Sequence, residues 1–368
     1  MPETADSEKT WPGDCDQVYP DVFTQIPPQP KEKKPGQLSP EQIKQFFEEG
    51  YVVINDFLDK ESELEPVRND ISALVDQLAM KLYNAGKIKN LHKELGFFER
   101  LTKLEEEFPG ANVILHKLGK LPQAVRDLWS NPRLLNIMEQ LLGTQNIAGN
   151  PVWNLRTKTP NNEATNVPWH QDNGYFDDDA YQVLIPTAWI PLLDATEENG
   201  CLQVVKGAHR HGKIARHQCC YGGTWYIMLE EEEMKRSLDV DLTKEVVTCP
   251  VKYGGFILFN NLSPHRSLPN ISSQIRWSLD LRWQRTDKPA GFFGLKQVVE
   301  MRREGKEDLE INWEPFDAID RHQVSMERLK KAVDEFDTTI QGPWMERWEI
   351  VHMNDHTEAH VKANEKKP

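Results

Sequence analysis

The order of apolar and polar residues divides the chain into stretches of different texture. Residues 1 to 37, including "IPPQPKEKKPGQ", are rich in Pro, Lys, Asp and Glu and carry no apolar period, which predicts a mobile arm. The pattern turns helical at "LSPEQIKQFFEEGYVVINDFL". Ser39 suits an N-cap, Pro40 the first turn, Gln42 the capping-box position and Gly50 the stop, after which "YVVI" reads as a strand. Leu64, Val67, Ile71, Leu74 and Leu78 recur at helical spacing within residues 61 to 86. A further helix in "PQAVRDLWSNPRLLNIMEQLLG" is broken around Pro132 and stopped by Gly143.

From about 147 to 286 short apolar runs replace the helical spacing. "TAWIPLLDA", "CLQVVKG", "EVVTCPV", "GGFILFN" and "IRWSLDLRWQ" read as strands separated by Gly, Pro, Asn and Asp, and such a block predicts a β-sandwich or jelly roll. After Pro289 the helical and loop texture returns, with "MERLKKAVDEF" amphipathic and "NDHTEAHVKANEKKP" a polar tail. The expected organisation is an arm over 1-37, a main domain over 38-310, a helical extension over 311-350 and a tail over 351-368.

Composition narrows the function classes. With 38% hydrophobic residues, 11 Trp and 14 Phe, the chain has material for a sizeable core. A net charge of -14 argues against a nucleic-acid partner, whose phosphates want a basic face. No stretch approaches the roughly 20 apolar residues of a membrane span, and the acidic N-terminus has neither a signal core nor transit-peptide character. A cytoplasmic protein without a membrane partner is therefore expected. The five cysteines form no CxxC and no even framework, so neither a disulfide scaffold nor a zinc ribbon is expected. The Asn-x-Ser triplets at Asn261 and Asn270 read as chance, and monomer and homodimer both stay open.

The candidate chemistry starts from "PWHQDNGYF", where His170 and Asp172 flank Gln171. On a strand, residues two apart share a face, so this pair can converge on one ion. Taken alone, it describes a capped turn equally well. A metal such as Fe(II) needs a third protein ligand to complete a facial triad that leaves positions open. His352, His356 and His360 lie in the tail, and His92 and His116 in the helical part. His209, His211 and His217, in "GAHRHGKIARH", read as an exposed basic loop.

His265 is the stronger candidate because it follows the strand "GGFILFN". Eleven residues later Arg276 and Ser278 share a strand face, where guanidinium and hydroxyl can clamp a carboxylate. That clamp suits a dicarboxylate whose other end chelates the metal. Zinc accepts the same three ligands, so a zinc hydrolase stays open beside an oxygenase, as does a non-catalytic jelly-roll binding protein. A hydrolase has no use for the clamp. The run Asp177 to Asp179 reads as a solvated turn.

Together these motifs resemble the phytanoyl-CoA dioxygenase family of Fe(II)- and 2-oxoglutarate-dependent oxygenases over most of residues 38 to 286. The resemblance implies a mainly β fold with flanking α elements: a double-stranded β-helix, a cupin-like jelly-roll core with helices packed outside. It implies His170, Asp172 and His265 as iron ligands, and Arg276, with Ser278 beside it, as the anchor for the distal carboxylate of 2-oxoglutarate. Trp189 matches a position beside the cosubstrate, and Lys117 in "LHKLGK" corresponds to a family lysine. The loop with Gly200, Gly207 and His209 also matches, which accounts for the histidine tract without a second metal. The implied reaction consumes O2, hydroxylates a C–H bond of a small organic substrate and releases succinate and CO2. The intact carboxylate of Asp172 favours hydroxylation over halogenation. The family name does not fix the substrate, because members act on acyl-CoAs, free amino acids and other small molecules. Arg282, further along the same strand, is a candidate for facing the substrate.

Overall fold

Ten consecutive residues, Arg276–Arg285, form the strand around which the molecule is organised, and their alternation explains why. Trp277, Leu279, Leu281 and Trp283 point one way; Arg276, Ser278, Asp280 and Arg282 point the other, and both sets are buried. One face is therefore made for packing and the other for chemistry. The computed structural model describes residues 10–117, 121–292, 297–318 and 334–365.

In chain order the strands are β1 (Tyr51–Ile54), β2 (Ile147–Gly149), β3 (Asn154–Lys158), β4 (Thr187–Pro191), β5 (Leu202–Val205), β6 (Gln218–Cys219) and β7 (Ile227–Met228). They continue with β8 (Val246–Cys249), β9 (Phe256–Phe259), β10 (His265–Ser267), β11 (Arg276–Arg285), β12 (Val299–Arg302) and β13 (Glu349–Ile350). The largest sheet has the order β1-β9-β4-β11-β2-β12, and β3 also pairs with β11. A second sheet has the order β10-β5-β8 and a third β13-β6-β7. Antiparallel register sets Arg276 opposite Lys158 and Ser278 opposite Arg156 on one side, and Asp280 opposite Trp189 and Arg282 opposite Thr187 on the other.

The apolar face of β11 packs under the helices Glu65–Asn84, Gln123–Trp129 and Pro132–Leu142, which contribute Val67, Ile71, Leu128, Leu134 and Ile137 to the same cluster as Trp277, Leu281 and Trp283. Each such side chain contributes about 1.5–3 kcal/mol of burial. The fold is thus mainly β with helices outside and a jelly-roll core, as predicted, and among the described residues the sheets do not close into a barrel.

Local signals explain the element ends. Gln42 N donates to Ser39 Oγ, and Ser39 N donates back to Gln42 Oε1. Gly50 and Gly143 end their helices at φ 84° and 65°, a region that favours glycine. The interrupted pair of helices breaks as expected around Pro132: the first ends at Trp129 and the second starts at Pro132.

Other stretches differ from expectation. Residues 10–37 lie against the body: Pro20–Thr24 is a short helix with Phe23 fully buried, and Tyr19 N donates to Gly212 O. A single aromatic anchor leaves no periodic signal. The tail likewise forms the helix Asp355–Glu365, with His356, Thr357 and His360 buried. The amphipathic stretch "MERLKKAVDEF" lies mostly outside the described residues. The adjacent Cys219 and Cys220 are bonded to each other, a link between neighbours that ties no two elements together, and Cys15, Cys201 and Cys249 are free thiols. Asn261 and Asn270 are buried and hydrogen-bonded, consistent with incidental sequons. Among the described residues no helix is long and apolar enough to cross a membrane.

Candidate metal centre

His170 and His265 are brought together by the backbone. His170 N donates to His265 O at 3.1 Å and His265 N to His170 O at 3.0 Å, an isolated antiparallel bridge that sets the two rings 4.2 Å apart. His170 is thus on a bridge, not on a regular strand as predicted, and the chain turns at once into a 3-10 helix over Asp172–Tyr175. That turn carries Asp172 back toward the rings. Gln171 fixes it from the opposite side: its amide nitrogen donates to Lys213 O and Leu262 O, and its amide oxygen accepts from Ala215 N.

Each histidine is held at Nδ1 by a backbone carbonyl two residues before it, Pro168 O at 2.9 Å and Ser263 O at 3.0 Å. This leaves both Nε2 atoms for a ligand. They lie 3.6 Å and 3.9 Å from Asp172 Oδ1, and the three ligand atoms all fall within 4.8 Å of one another. All three side chains are buried. Among the described residues this is the one such group of three or more potential ligands.

Asp172 is prepared for one bond only. Oδ2 accepts from Thr187 Oγ1, Arg282 Nε and Arg282 Nη2, while Oδ1 shares only the Nη2 donor at 2.9 Å. Oδ1 is left to face the histidines. Burial pushes the carboxyl upward, but the Arg282 guanidinium, helped by a hydrogen bond to His170, outweighs it and holds Asp172 well below the usual carboxylate range. Burial pushes His265 down to about 3, so its ring is neutral, as a ligand must be. Two imidazoles and one carboxylate oxygen within reach of one point form a donor set that fits Fe(II).

The polar face of β11 continues from this centre. A cavity of empty volume ≈ 330 Å³ is bounded by His170, His265, Trp189, Phe259, Arg156, Arg276 and Asp280. Arg276 lies over the Trp189 ring at 5.0 Å and donates from Nη1 to Ser278 Oγ at 2.5 Å, while its Nε has no partner among the described residues. Burial pushes its pKa down to about 10, which still leaves it charged at neutral pH. Ser278 orients Arg276, and Trp189 floors it.

Lys117 stands apart: it bonds Asp337, through the backbone oxygen at 2.5 Å and the carboxylate at 3.3 Å, and lines neither this cavity nor its neighbour. Arg282 faces Asp172 rather than a substrate. The histidine tract is not an exposed loop. His209 and His217 are fully buried, and His217 Nε2 accepts from Gln171 N at 3.0 Å, so that histidine braces the turn that carries Asp172.

Sequence reasoning missed β3, which brings Arg156 and Lys158 to the same face. Their i, i+2 spacing in "NLRTK" was the available signal. Arg156 pairs with Asp280 at 2.8 Å.

A jelly-roll core with a buried two-histidine, one-carboxylate centre defines a non-haem metal oxygenase. The profile of the family described as Phytanoyl-CoA dioxygenase (PhyH) matches residues 46–278, and the chain belongs to that family of 2-oxoglutarate-dependent, iron-using oxygenases. It is 25% identical to the phytanoyl-CoA dioxygenase of Arabidopsis thaliana, over 68% of this chain and 90% of that one. It is 26% identical to the 1-deoxypentalenic acid 11-beta-hydroxylase of Streptomyces arenae, over 50% of this chain and 65% of the relative. Among solved structures it is similar to EctD from S. alaskensis with 2-oxoglutarate and 5-hydroxyectoine, at 18% identity and TM-score 0.46, covering 76% of this chain and 88% of that chain.

Proposed function

We propose that the protein hydroxylates a C–H bond of a small organic substrate, consuming O2 and 2-oxoglutarate and releasing succinate and CO2. The observation that carries this reading is the ladder along β11. Arg282 holds the carboxylate ligand at one end, and Arg276, a buried guanidinium with an unsatisfied Nε and no carboxylate partner among the described residues, stands toward the other. A buried cation of this kind calls for an anionic ligand. The distal carboxylate of 2-oxoglutarate supplies one.

His170, Asp172 and His265 would hold the iron, which when bound supplies the site for 2-oxoglutarate chelation and O2 activation. The chain's own residues do the rest. Arg276, oriented by Ser278 and resting on Trp189, fixes the cosubstrate's far end. Phe259 and Leu202 line the cavity with apolar surface and limit water around the reacting groups. Thr187 and Arg282 keep Asp172 ionised and monodentate. A zinc hydrolase would leave Arg276 without a task.

The test is anaerobic addition of Fe(II) and 2-oxoglutarate to purified protein, followed by visible spectroscopy. A weak charge-transfer band is expected, lost in His170→Ala and in Asp172→Ala. No band in the native protein, or an unchanged band in both variants, would overturn the assignment. Succinate release across small acids, amino acids and acyl-CoAs then identifies the substrate.

A further inference from the structure

The polar face of β11 and β3 gathers four basic side chains, Arg276, Arg282, Arg156 and Lys158, around the single carboxylate of Asp280. Arg276 and Lys158 are direct cross-strand partners, and both are buried. Like charges placed opposite each other on a sheet destabilise it. Arg156 lies between them and the metal ligands and is neutralised by Asp280. The distal carboxylate of 2-oxoglutarate takes Arg276. Lys158 remains.

Its surroundings are unusual for a buried ammonium. Nζ donates to Thr165 O at 3.0 Å and to Asn166 Oδ1 at 2.6 Å, both neutral acceptors, so a proton taken up there would add a third donor. Among the described residues it has no carboxylate partner. Burial, then the guanidinium groups of Arg276 and Arg156, hold it well below the usual lysine range. A neighbouring anion would restore the charged form. The backbone also makes room for this side chain: a Cβ on Gly200 would come within 2.7 Å of Lys158 Cδ.

Lys158 lines a second cavity, of empty volume ≈ 420 Å³, which shares Arg156, Val167 and Arg276 with the cavity beside the histidines. The second cavity adds Asn112 and Thr165 as polar groups and Trp225 and Tyr226 as aromatic ones, the two rings 4.7 Å apart.

Building on the oxygenase reading, we propose that the substrate is a small carboxylic acid whose carboxylate binds Lys158 in this second cavity while its apolar body lies along Trp225 and Tyr226. The charge count is then closed by two ligands, the cosubstrate on Arg276 and the substrate on Lys158.

The test uses benzoate and its neutral counterpart benzamide as probes, titrated calorimetrically into the full chain loaded with Co(II) and saturating 2-oxoglutarate. Benzoate is expected to bind at least 10-fold more tightly than benzamide, and that ratio is expected to collapse toward one in Lys158→Met and to persist in Lys158→Arg. Equal affinity for both probes, or no benzoate binding, overturns the proposal. So does benzoate binding that 2-oxoglutarate displaces, because Lys158 would then belong to the cosubstrate's own site. The native protein alone decides these outcomes if Lys158→Met does not fold. Failure of Co(II) and 2-oxoglutarate to bind at all would instead sink the oxygenase reading.

Discussion

Arg282 grips Asp172 with Nε and Nη2, at 2.8–2.9 Å, and both side chains are buried. The guanidinium therefore decides which carboxylate oxygen is left for a ligand: Oδ2 is occupied, and Oδ1 faces the two imidazoles. Replacing Arg282 by Gln leaves Asp172 buried with Thr187 as its remaining side-chain donor. Loss of a group that orients a metal ligand typically weakens metal binding about 10–100-fold. The expected result for Arg282→Gln is a Co(II) dissociation constant raised by that factor, with a lower melting temperature for the metal-free protein because a buried charge has lost its partner. An unchanged Co(II) affinity would show that Asp172 needs no such clamp.

Arg276 and Trp189 form the next relationship along the strand. Substituting Met for Arg276 removes the cation and keeps the length, so binding of the cosubstrate is expected to fail through lost charge-assisted hydrogen bonds rather than through a cavity. The expected change in the KM for 2-oxoglutarate is a rise of about 10²-fold, given about 1.5–3 kcal/mol for hydrogen bonds to charged groups. Steady-state succinate formation reads it. A KM within twofold of the native value would place the cosubstrate elsewhere.

Gly200 gives a prediction about the wall of the second cavity. It sits at φ +90°, and an added Cβ would meet Leu268 O at 2.5 Å and Lys158 Cδ at 2.7 Å. Gly200→Ala thus combines backbone strain of about 1–3 kcal/mol with a displaced lysine stem. Chemical denaturation should show an unfolding free energy lowered by that amount. A variant as stable as the native protein would mean that the loop relaxes freely.

The meeting of His170, Asp172 and His265 was legible because a histidine-x-aspartate pair and a distant histidine beside strands are a combination that few other arrangements use. His170, Asp172, His265, Arg276 and Ser278 lie on or beside strands whose alternation is visible in the residues, and the strand called on for the clamp is the longest in the fold. What lay hidden depends on partners distant in sequence. Arg282 was read as a substrate contact because nothing local shows that it meets a carboxylate 110 positions away. Lys158 escaped notice because β3 is a polar run, "NLRTK", without the apolar alternation that marks a strand facing solvent on one side. Lys117 drew attention through its motif, and its pairing with Asp337 spans 220 positions. The histidine tract looked exposed because its charge masks two rings that the fold buries.

Those buried rings determine how the protein meets acid. His209 Nε2 bonds Phe47 O at 2.9 Å, its Nδ1 has no partner among the described residues, and burial pushes its pKa down to about 4; His356 is likewise pushed down to about 4 by burial. In the unfolded chain such a ring takes up its proton near pH 6.5. Below that pH the unfolded state binds the proton first, so the stability is full above about 6.5 and is lost as pH falls through 4. For His209 alone the loss approaches roughly 3 kcal/mol, at about 1.4 kcal/mol per pH unit. Chelator-treated protein unfolded in urea at pH 7.5 and at pH 4.5 should show this drop. In His209→Gln, whose amide keeps a donor for Phe47 O and does not titrate, the difference between the two pH values is expected to shrink by about 2 kcal/mol, whatever the variant loses at pH 7.5. An equal drop in both proteins would mean that His209 is not among the groups that acid unfolding protonates.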